Sequence, residues 1–101
     1  MKKAFEVVDS NEVTFIHDHE LEDGSIYTGQ MKRVIEDGIG MLVSHGRGKQ
    51  KWPDGAKYEG DWRNGKIEGR GTFYHENRDL YTGEFVNDKA NGYGAYIHDN
   101  G

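Results

Sequence analysis

The sequence predicts an all-β fold, in which antiparallel β-hairpin repeats are stacked as an elongated twisted sheet. Residues 58–73 recur as residues 81–96, and every shared position is displaced by 23. A fixed period of this size is typical of a stacked repeat architecture. Within each copy, aromatic residues and glycines alternate with polar residues, which is the two-residue period of a β-strand.

Composition supports a thin sheet rather than a thick globular core. The chain has 101 residues, of which 34% are apolar and 15 are glycine. A chain of this length buries only a modest core and forms at most one domain. In a repeat sheet each unit instead buries its apolar face against its neighbours.

The best-defined unit predicts one hairpin. Tyr58–Trp62 places Tyr, Gly and Trp on one strand face and charged residues on the other. Asn64 and Gly65 follow, and this dipeptide is a strong signal for a tight hairpin turn because both residues tolerate positive φ. Gly69–Tyr74 alternates again and is predicted to be the return strand.

The glycines of these strands recur beside aromatic residues, at Gly60 before Trp62 and at Gly71 before Phe73. Glycine inside a strand weakens it, so its repetition needs a steric reason. We expect the missing side chains to let neighbouring rings lie flat over the main chain and to allow the sheet to coil. Ring-over-glycine packing is therefore the predicted core.

These residues resemble the MORN (membrane occupation and recognition nexus) repeat family. The first copy matches the family motif at Tyr58, Gly60, Trp62, Gly65, Gly69 and Gly71. The second matches it at Tyr81, Gly83, Phe85, Gly92 and Gly94, with Asp88 where glycine is usual. The resemblance extends over about Asp23 to Gly101, and two units in strict register make it specific.

Residues 1–22 do not fit the repeat. Two β-prone runs, Ala4–Val8 and Glu12–His17, are separated by turn-forming residues and predict a hairpin that caps the sheet. The predicted inward residues are Phe5, Val7, Val13 and Phe15. We therefore divide the chain into a cap at 1–22 and a repeat domain at 23–101, with units at about 23–54, 55–78 and 79–101.

The first unit contains an eight-residue insertion. Its Asp23–Met31 segment copies the segment that ends at Trp62, but at a spacing of 31 instead of 23. Both Gly38–Gly40 and Gly46–Gly48 have the spacing of a return-strand signal. The insertion predicts either an extra small hairpin, formed by Met41–Ser44 and Lys49–Trp52, or a bulged long strand.

Charge and cysteine content exclude several classes of function. The net charge of −5 argues against nucleic acid as the main ligand and against non-specific adhesion to anionic lipid. Without cysteine the chain has no disulfide framework and no thiol nucleophile. The N-terminus lacks an apolar run of signal-peptide length. The predicted location is cytoplasmic, and the resemblance adds cytoskeletal, ciliary or membrane-associated sites.

Neither a metal site nor an active site is predicted. His17 and His19 would share one face of a strand and so suggest a metal ion, but a third ligand of defined position is missing. Ser44 and His45 are adjacent, so their side chains point to opposite faces and make a poor nucleophile–base pair. We expect no enzyme and no cofactor.

The predicted function is that of a non-catalytic protein–protein interaction or scaffold module. Aromatic residues are favoured at binding hot spots because they bury a large area at low entropic cost. The resemblance implies the same, since such units occur in ciliary, junctional and cytoskeletal proteins and beside catalytic domains in a lysine methyltransferase and in plant phosphatidylinositol phosphate kinases. The candidate groove residues are Tyr58, Trp62, Phe73, Tyr81, Phe85, Tyr93 and Tyr96, of which most also suit a core.

The C-terminal end of the repeat is predicted to associate with a protein partner or with another copy of the chain. The sequence stops in register one step before another unit would begin. We expect an open edge strand there, and open edges pair with other strands.

An alternative function is phosphoinositide binding. Arg47, Lys49 and Lys51 are alternate residues that would project from one strand face and form a basic stripe. The competing interpretation, which charge stripes generally favour, is cross-strand pairing with Glu59 and Asp61.

Overall fold

A computed structural model describes residues 12–98. They form a single antiparallel sheet of seven strands, each paired with its neighbours in the chain. The strands are β1 (Thr14–Glu20), β2 (Ile26–Glu36), β3 (Ile39–Lys51), β4 (Lys57–Arg63), β5 (Lys66–Tyr74), β6 (Leu80–Val86) and β7 (Lys89–Ile97). The molecule extends 58 × 28 × 22 Å, which agrees with the predicted elongated sheet.

Strands β2–β3, β4–β5 and β6–β7 form the three hairpins of the repeat. The turn of the second hairpin is Asn64-Gly65, as predicted, and both residues have positive φ (48° and 85°). Asp37-Gly38 and Asn87-Asp88 have the same conformation in the other two hairpins. Turns with two positive φ angles match the twist of the flanking strands, which is why Asn, Asp and Gly occupy them.

A second type of turn precedes each hairpin. The amide of Trp52 donates to the carbonyl of Ala56, and the Asp54 carboxylate accepts the amide of Ala56 at 2.9 Å. Asp23 and Asn77 accept the equivalent amides at the other two turns. A side-chain acceptor two residues before the donor fixes each turn locally.

Every hairpin has a β-bulge at the same place in its return strand. In the second hairpin Gly60 lies opposite Gly71, whereas Trp62 lies opposite Ile67. An advance of two residues along β4 is therefore matched by four along β5. The same shift occurs in the first and third hairpins. The bulge is thus part of the repeat.

The eight-residue insertion lengthens the first hairpin. Pairing beyond the bulge runs from Met31 opposite Ser44 to Glu36 opposite Ile39, which is four residue pairs more than in the second hairpin. The bulged long strand is confirmed and the extra small hairpin is wrong. Gly38 lies in the turn, so Gly38–Gly40 was wrongly interpreted as a return-strand signal.

The other candidate signal, Gly46–Gly48, does mark the return strand, because Gly48 lies opposite Gly29. Asp-Gly supplies the two positive φ angles of the hairpin turn, and this local preference places the turn at residues 37 and 38. The added residues therefore extend both strands equally.

The core lies on one face of the sheet, which we call the aromatic face. Its buried members are Tyr27, Met31, Tyr58, Trp62, Ile67 and Phe85. A Cβ built on Gly71 would overlap the Tyr58 hydroxyl, and Gly48 and Gly94 have the same relation to Tyr27 and Tyr81. The predicted ring-over-glycine packing is confirmed. The opposite face, which carries Arg47, Asp61, Arg70 and Glu84, we call the polar face.

The N-terminal part differs from the prediction. Strand β1 pairs with β2, and Val13 and Phe15 are 37% and 57% exposed, so their assignment as inward residues was wrong. Ile16 packs against the core instead, because it lies opposite Gly29 and Phe15 opposite Gln30. A one-residue difference in register exchanges the two faces. The proposed first strand, with Phe5 and Val7, lies outside the described residues.

A bulge in β1 also separates the two histidines proposed to share a face. The pairing shifts between Ile16 and His19, and Asp18 has a φ of 50°. His17 contacts the ring of Phe15, whereas His19 lies opposite Tyr27. Within residues 12–98 no three metal-binding side chains come together.

The described part of the chain contains strands and turns only. It accordingly offers no helix of the length and apolarity needed to cross a membrane.

Candidate functional site

The seven aromatic residues predicted to line a groove are distributed over three environments. Tyr58, Trp62 and Phe85 are at most 6% exposed and belong to the core. Phe73 and Tyr81 are partly buried beside them. Tyr93 and Tyr96 are 87% and 51% exposed.

The buried rings form a continuous series across the hairpins. The ring centroid of Trp62 lies 5.4 Å from that of Tyr27, and Phe85 lies 5.2 Å from Tyr58, both edge to face. Thus the buried Trp62 or Phe85 ring of each later hairpin packs against the tyrosine of the hairpin before it. Such edge-to-face pairs stabilise a fold by about 0.5–1.5 kcal/mol beyond their buried area.

The third tyrosine of this series, Tyr81, lines an open apolar cleft of about 320 Å³. The cleft lies on the aromatic face between β5 and β7. Its lining residues are Phe73, His75, Tyr81, Phe85, Asp88, Ala90 and Tyr96. We call it the C-terminal cleft.

A row of rings forms one margin of the aromatic face. Phe73 lies 5.7 Å from Trp52 and 4.9 Å from His75, and the row continues through Tyr96 to His98. Sequence reasoning missed Trp52 as a member of this row. The signal was present, because Trp52, His75 and His98 are separated by 23 residues.

Tyr93 does not join the C-terminal cleft. It is an odd number of residues from Tyr96, so its side chain projects to the polar face, as strand alternation requires. There it occupies the position that Arg47 and Arg70 hold in the earlier hairpins. The cleft therefore brings together Phe73, Tyr81, Phe85 and Tyr96 from the predicted set.

Strand β7 borders the cleft and is exposed along its whole length. Its only paired neighbour among residues 12–98 is β6. Within the described residues, the main-chain groups on its other side have no strand partner, and such groups can form hydrogen bonds to an added strand.

The three basic residues of the alternative site lie on the polar face but differ in their partners. Arg47 donates to the Asp61 carboxylate at 2.8 Å. Lys49 lies opposite Glu59, and Lys51 lies opposite Lys57; within residues 12–98 neither Lys49 nor Lys51 forms an ion pair. Arg47 is thus already neutralised, whereas the two lysines are not.

The buried Ser25 hydroxyl and two buried tyrosines are held within the fold. The Ser25 hydroxyl donates to Asp23 at 2.6 Å and accepts a hydrogen bond from the Gln50 amide. Hydrogen bonds from Ser25 lower the pKa of the Asp23 carboxyl. Burial raises the pKa of Tyr27 and Tyr58 to about 12, so both stay protonated at neutral pH.

Comparison with known proteins agrees with this architecture. The family model for the MORN repeat matches three consecutive segments, residues 43–57, 58–79 and 81–101. The first segment begins inside β3, so β2 of the lengthened hairpin lies outside the match.

Two curated proteins share part of this sequence. Phosphatidylinositol 4-phosphate 5-kinase 1 of Oryza sativa subsp. japonica is 47% identical over 51 residues, which are 50% of this chain and 5% of the kinase. Alsin of Rattus norvegicus is 50% identical over 36 residues, which are 36% of this chain and 2% of alsin. The chain thus spans a small fraction of either relative. The repeated hairpins, the glycine–tyrosine packing and the three matched segments together show that the chain belongs to the MORN repeat family.

Proposed function

We propose that this chain is a non-catalytic protein-interaction module that associates with a second copy of itself through β7. The observation that carries the proposal is an exposed edge strand beside an apolar cleft whose lining repeats the packing found at the earlier hairpin junctions. Exposed strand edges are sites of strand addition.

The earlier junctions show which residues an added strand needs. At the junction of β3 and β4, Gly48 lies opposite Gly60 and Gly46 opposite Trp62. The junction of β5 and β6 repeats this pattern with Gly71, Gly83, Gly69 and Phe85. On β7 the corresponding glycines are Gly94 and Gly92. An added strand therefore needs a glycine followed two residues later by an aromatic residue.

Strand β7 itself has this pattern, because Tyr96 follows Gly94 by two residues. If two copies of β7 pair antiparallel about Gly94, then Gly92 of each copy lies opposite Tyr96 of the other. The pairing is symmetric, as a twofold dimer interface requires. The added Tyr96 would pack near Tyr81, as Phe85 packs against Tyr58 and Trp62 against Tyr27.

The test is the molar mass in solution as a function of protein concentration, measured by sedimentation equilibrium. We expect a monomer–dimer equilibrium that Tyr96→Glu abolishes, because the substitution places a charge in the apolar junction. Ile39→Glu is the matched control: Ile39 is also exposed, at 63%, but lies at the tip of the first hairpin. It should leave the equilibrium unchanged.

A strict monomer at the highest attainable concentration would overturn the self-association proposal. Equal loss of association in both variants would do the same, since it would trace the effect to charge alone. Circular dichroism confirms that each variant retains its β-sheet.

A second candidate function is phosphoinositide binding at the polar face. Two observations support it. Lys51 and Lys57 are like charges in directly opposed positions, an arrangement that a bound anion would stabilise, although the Lys57 ammonium also lies 4.6 Å from the centre of the Tyr74 ring. One relative is named as a kinase of a phosphatidylinositol phosphate.

Flotation with phosphoinositide vesicles tests this candidate. Binding that persists at about 0.3 M salt, where exposed charges are largely screened, and that is lost in Arg47/Lys49/Lys51→Ala would support it. The control, Lys66/Lys89→Ala, removes two exposed lysines from hairpin turns. Equal binding by all three proteins would exclude the basic stripe.

The proposed absence of catalysis is supported by the buried Ser25 hydroxyl, which is committed to hydrogen bonds with Asp23 and Gln50. Cytoplasmic residence, with cytoskeletal, ciliary or membrane-associated sites, remains part of the proposal and follows from the family. A localisation experiment with a fluorescent fusion in the source cell tests it.

A further inference from the structure

A shallow cavity of about 480 Å³, open to solvent, lies between the first and second hairpins, beside their bulges. It is separate from both the C-terminal cleft and the basic stripe. Its charged or titratable lining residues are Lys32 of β2, His45 of β3, Arg63 of β4 and Glu68 of β5. The remaining lining consists of Gly46, Trp62, Asn64 and Gly69.

The cavity is rich in hydrogen-bond donors. Within residues 12–98, neither Lys32 nor Arg63 forms an ion pair with Glu68 or with any other carboxylate. Lysine and arginine side chains can only donate, so two cationic groups line one cavity beside a single carboxylate.

His45 adds a third donor. Its Nδ1 accepts the main-chain amide of Asn64 at 3.1 Å. A neutral imidazole that accepts at Nδ1 must carry its proton at Nε2, so the hydrogen bond to Asn64 fixes the tautomer. The Nε2–H group is then the donor that His45 retains for a ligand.

The repeat architecture does not require this set of residues. At the next hairpin junction, 23 residues further on, Glu68 occupies the position of His45. Val86 there occupies the position of Arg63, being the residue that follows Phe85 as Arg63 follows Trp62. Two of the donors are thus replaced by a carboxylate and an apolar side chain, and the hairpins still stack. Stacking of the hairpins therefore does not account for the donor cluster at the first junction.

We propose that this cavity binds a phosphate group, held by the Lys32 ammonium, the Arg63 guanidinium and the Nε2–H of His45. Charge-assisted hydrogen bonds to phosphate are among the strong ones, and three donors that line one cavity equal in number the three terminal oxygens of a phosphate monoester. Glu68 opposes the anion and so limits its affinity.

The electrostatic surroundings of His45 agree with this geometry. Burial, and then the charges of Lys32 and Arg63, lower the pKa of His45. The two cations are therefore close enough to act on the imidazole. An anion bound among them would raise the pKa of His45 again, which provides a direct readout.

The experiment is an NMR titration of the full chain with inorganic phosphate and, separately, with glycerol 3-phosphate, near neutral pH and at constant ionic strength set by chloride. His17, His19, His75 and His98 serve as internal controls because none of them lines this cavity. We expect a saturable shift of the His45 ring signals and a raised His45 pKa. Tighter binding of the ester would point to a headgroup-type ligand, and tighter binding of inorganic phosphate to the free anion; either supports the site.

Three variants make the assignment specific. Lys32→Ala and Arg63→Ala should each raise the apparent Kd for phosphate by about tenfold or more, the usual effect of losing a charge-assisted hydrogen bond. Glu68→Gln should strengthen binding because it removes the opposing charge. Lys49→Ala, on another part of the polar face, should bind as the parent chain does.

Parallel shifts of all the histidine signals, or an unchanged Kd in both Lys32→Ala and Arg63→Ala, would overturn the proposal. Arg63 is exposed, so its variant is expected to fold and keeps the test decisive even if Lys32→Ala does not.

Discussion

At Gly71 the main chain passes so close to the Tyr58 ring that a side chain and the tyrosine hydroxyl would occupy the same space. The hydroxyl donates to the carbonyl of Asp61 at 3.1 Å, so the ring is held at both its apolar body and its polar tip. A buried hydroxyl needs such a partner. The tyrosine of one strand and the glycine of the next therefore act as a single packing unit.

Gly71→Ala should destabilise the fold by about 1–3 kcal/mol, the usual cost of forcing extra volume into a packed site. Gly40→Ala is the matched control. Gly40 also lies in a strand, but a Cβ there would meet only the Arg33 side chain at 3.9 Å. Urea denaturation measures both variants. Equal midpoints would show that the ring and the glycine are not in contact in solution.

The buried tyrosines should make the fold sensitive to alkaline pH. Their pKa is about 12 in the folded protein, whereas an exposed tyrosine ionises near pH 10. The tyrosines of the unfolded chain therefore ionise at a lower pH than those of the folded protein. Their contribution to the free energy of unfolding is fully present below about pH 10 and is lost as the pH rises to about 12. Tyr58→Phe should reduce this loss by on the order of 1–2 kcal/mol, since it removes one of the two tyrosine hydroxyls whose pKa is raised by burial.

Tyr93→Phe provides the comparison for that measurement, because Tyr93 is 87% exposed. Urea denaturation at about pH 9 and about pH 11.5 brackets the ionisation range. The same alkaline loss in both variants would show that burial of Tyr58 is not its cause.

At the scale of the element, each hairpin is defined by its bulge as much as by its turn. The extra amide in the return strand is accepted by a side chain of the first strand: Gln30 accepts that of Arg47 at 2.8 Å, and Asp61 that of Arg70 at 3.0 Å. Without such an acceptor the bulge would leave a main-chain donor unpaired. Asp61 also binds the Arg47 guanidinium, so it links two hairpins.

Asp61→Ala should cost about 1–3 kcal/mol, because it removes the acceptor for the bulge amide. Asp61→Asn should cost less than about 1 kcal/mol, since its amide oxygen still accepts, as that of Gln30 does, and only an exposed ion pair is lost. Thermal denaturation compares the two with Glu59→Ala, a nearby carboxylate that forms no ion pair within residues 12–98. Equal costs for Asn and Ala would assign the effect to charge.

The lengthened first hairpin predicts that its added segment can be removed. Deletion of Arg33–Glu36 together with Ile39–Leu42 leaves the turn Asp37-Gly38 and restores the length of the second hairpin. We expect a folded sheet that has lost about 1–3 kcal/mol, since Leu42 packs against the core. Circular dichroism and urea denaturation check this. Loss of the folded state would show that the long hairpin is needed to nucleate or cap the sheet.

At the scale of the molecule, stability comes from neighbouring hairpins, because the described residues form one sheet with no second layer over it. Trp62 lies at the central junction and contacts several strands. Its ring contacts both Tyr27 and Tyr58, and its indole nitrogen donates to the carbonyl of Gly48 at 3.0 Å. One side chain therefore connects β3, β4 and the tyrosine of the first hairpin.

Trp62→Ala should destabilise the chain by about 3–5 kcal/mol, a range that unfolds many small domains. Trp62→Phe keeps a ring and should cost less. Val86→Ala, at an exposed position near the last turn, is the control and should be almost neutral. Urea denaturation followed by circular dichroism ranks the three. A stable Trp62→Ala variant would show that the ring belongs to a contact surface rather than to the core.

The sequence predicted the features that depend on neighbouring residues or on the repeat itself. Asn64-Gly65 identified a turn because few residues adopt positive φ, and the 23-residue period placed the later hairpins in register. The packing of rings over strand glycines followed from sterics, and the structure shows that Gly71 is the glycine beneath Tyr58. These constraints act within one hairpin, so a single copy of the motif already contains them.

Long-range pairing decided the rest. Two glycine signals in the first unit had the same repeat spacing. The pairing of Gly29 with Gly48 shows that Gly46–Gly48 belongs to the return strand, whereas Gly38 lies in the turn. The bulge at Asp18 placed His17 and His19 in different surroundings. The stacking of the first two hairpins brought Arg47 into an ion pair with Asp61. The cavity of Lys32, His45 and Arg63 arises only when two hairpins meet. Local sterics and the repeat thus determined the hairpin, whereas contacts between distant strands decided which side chains share a surface.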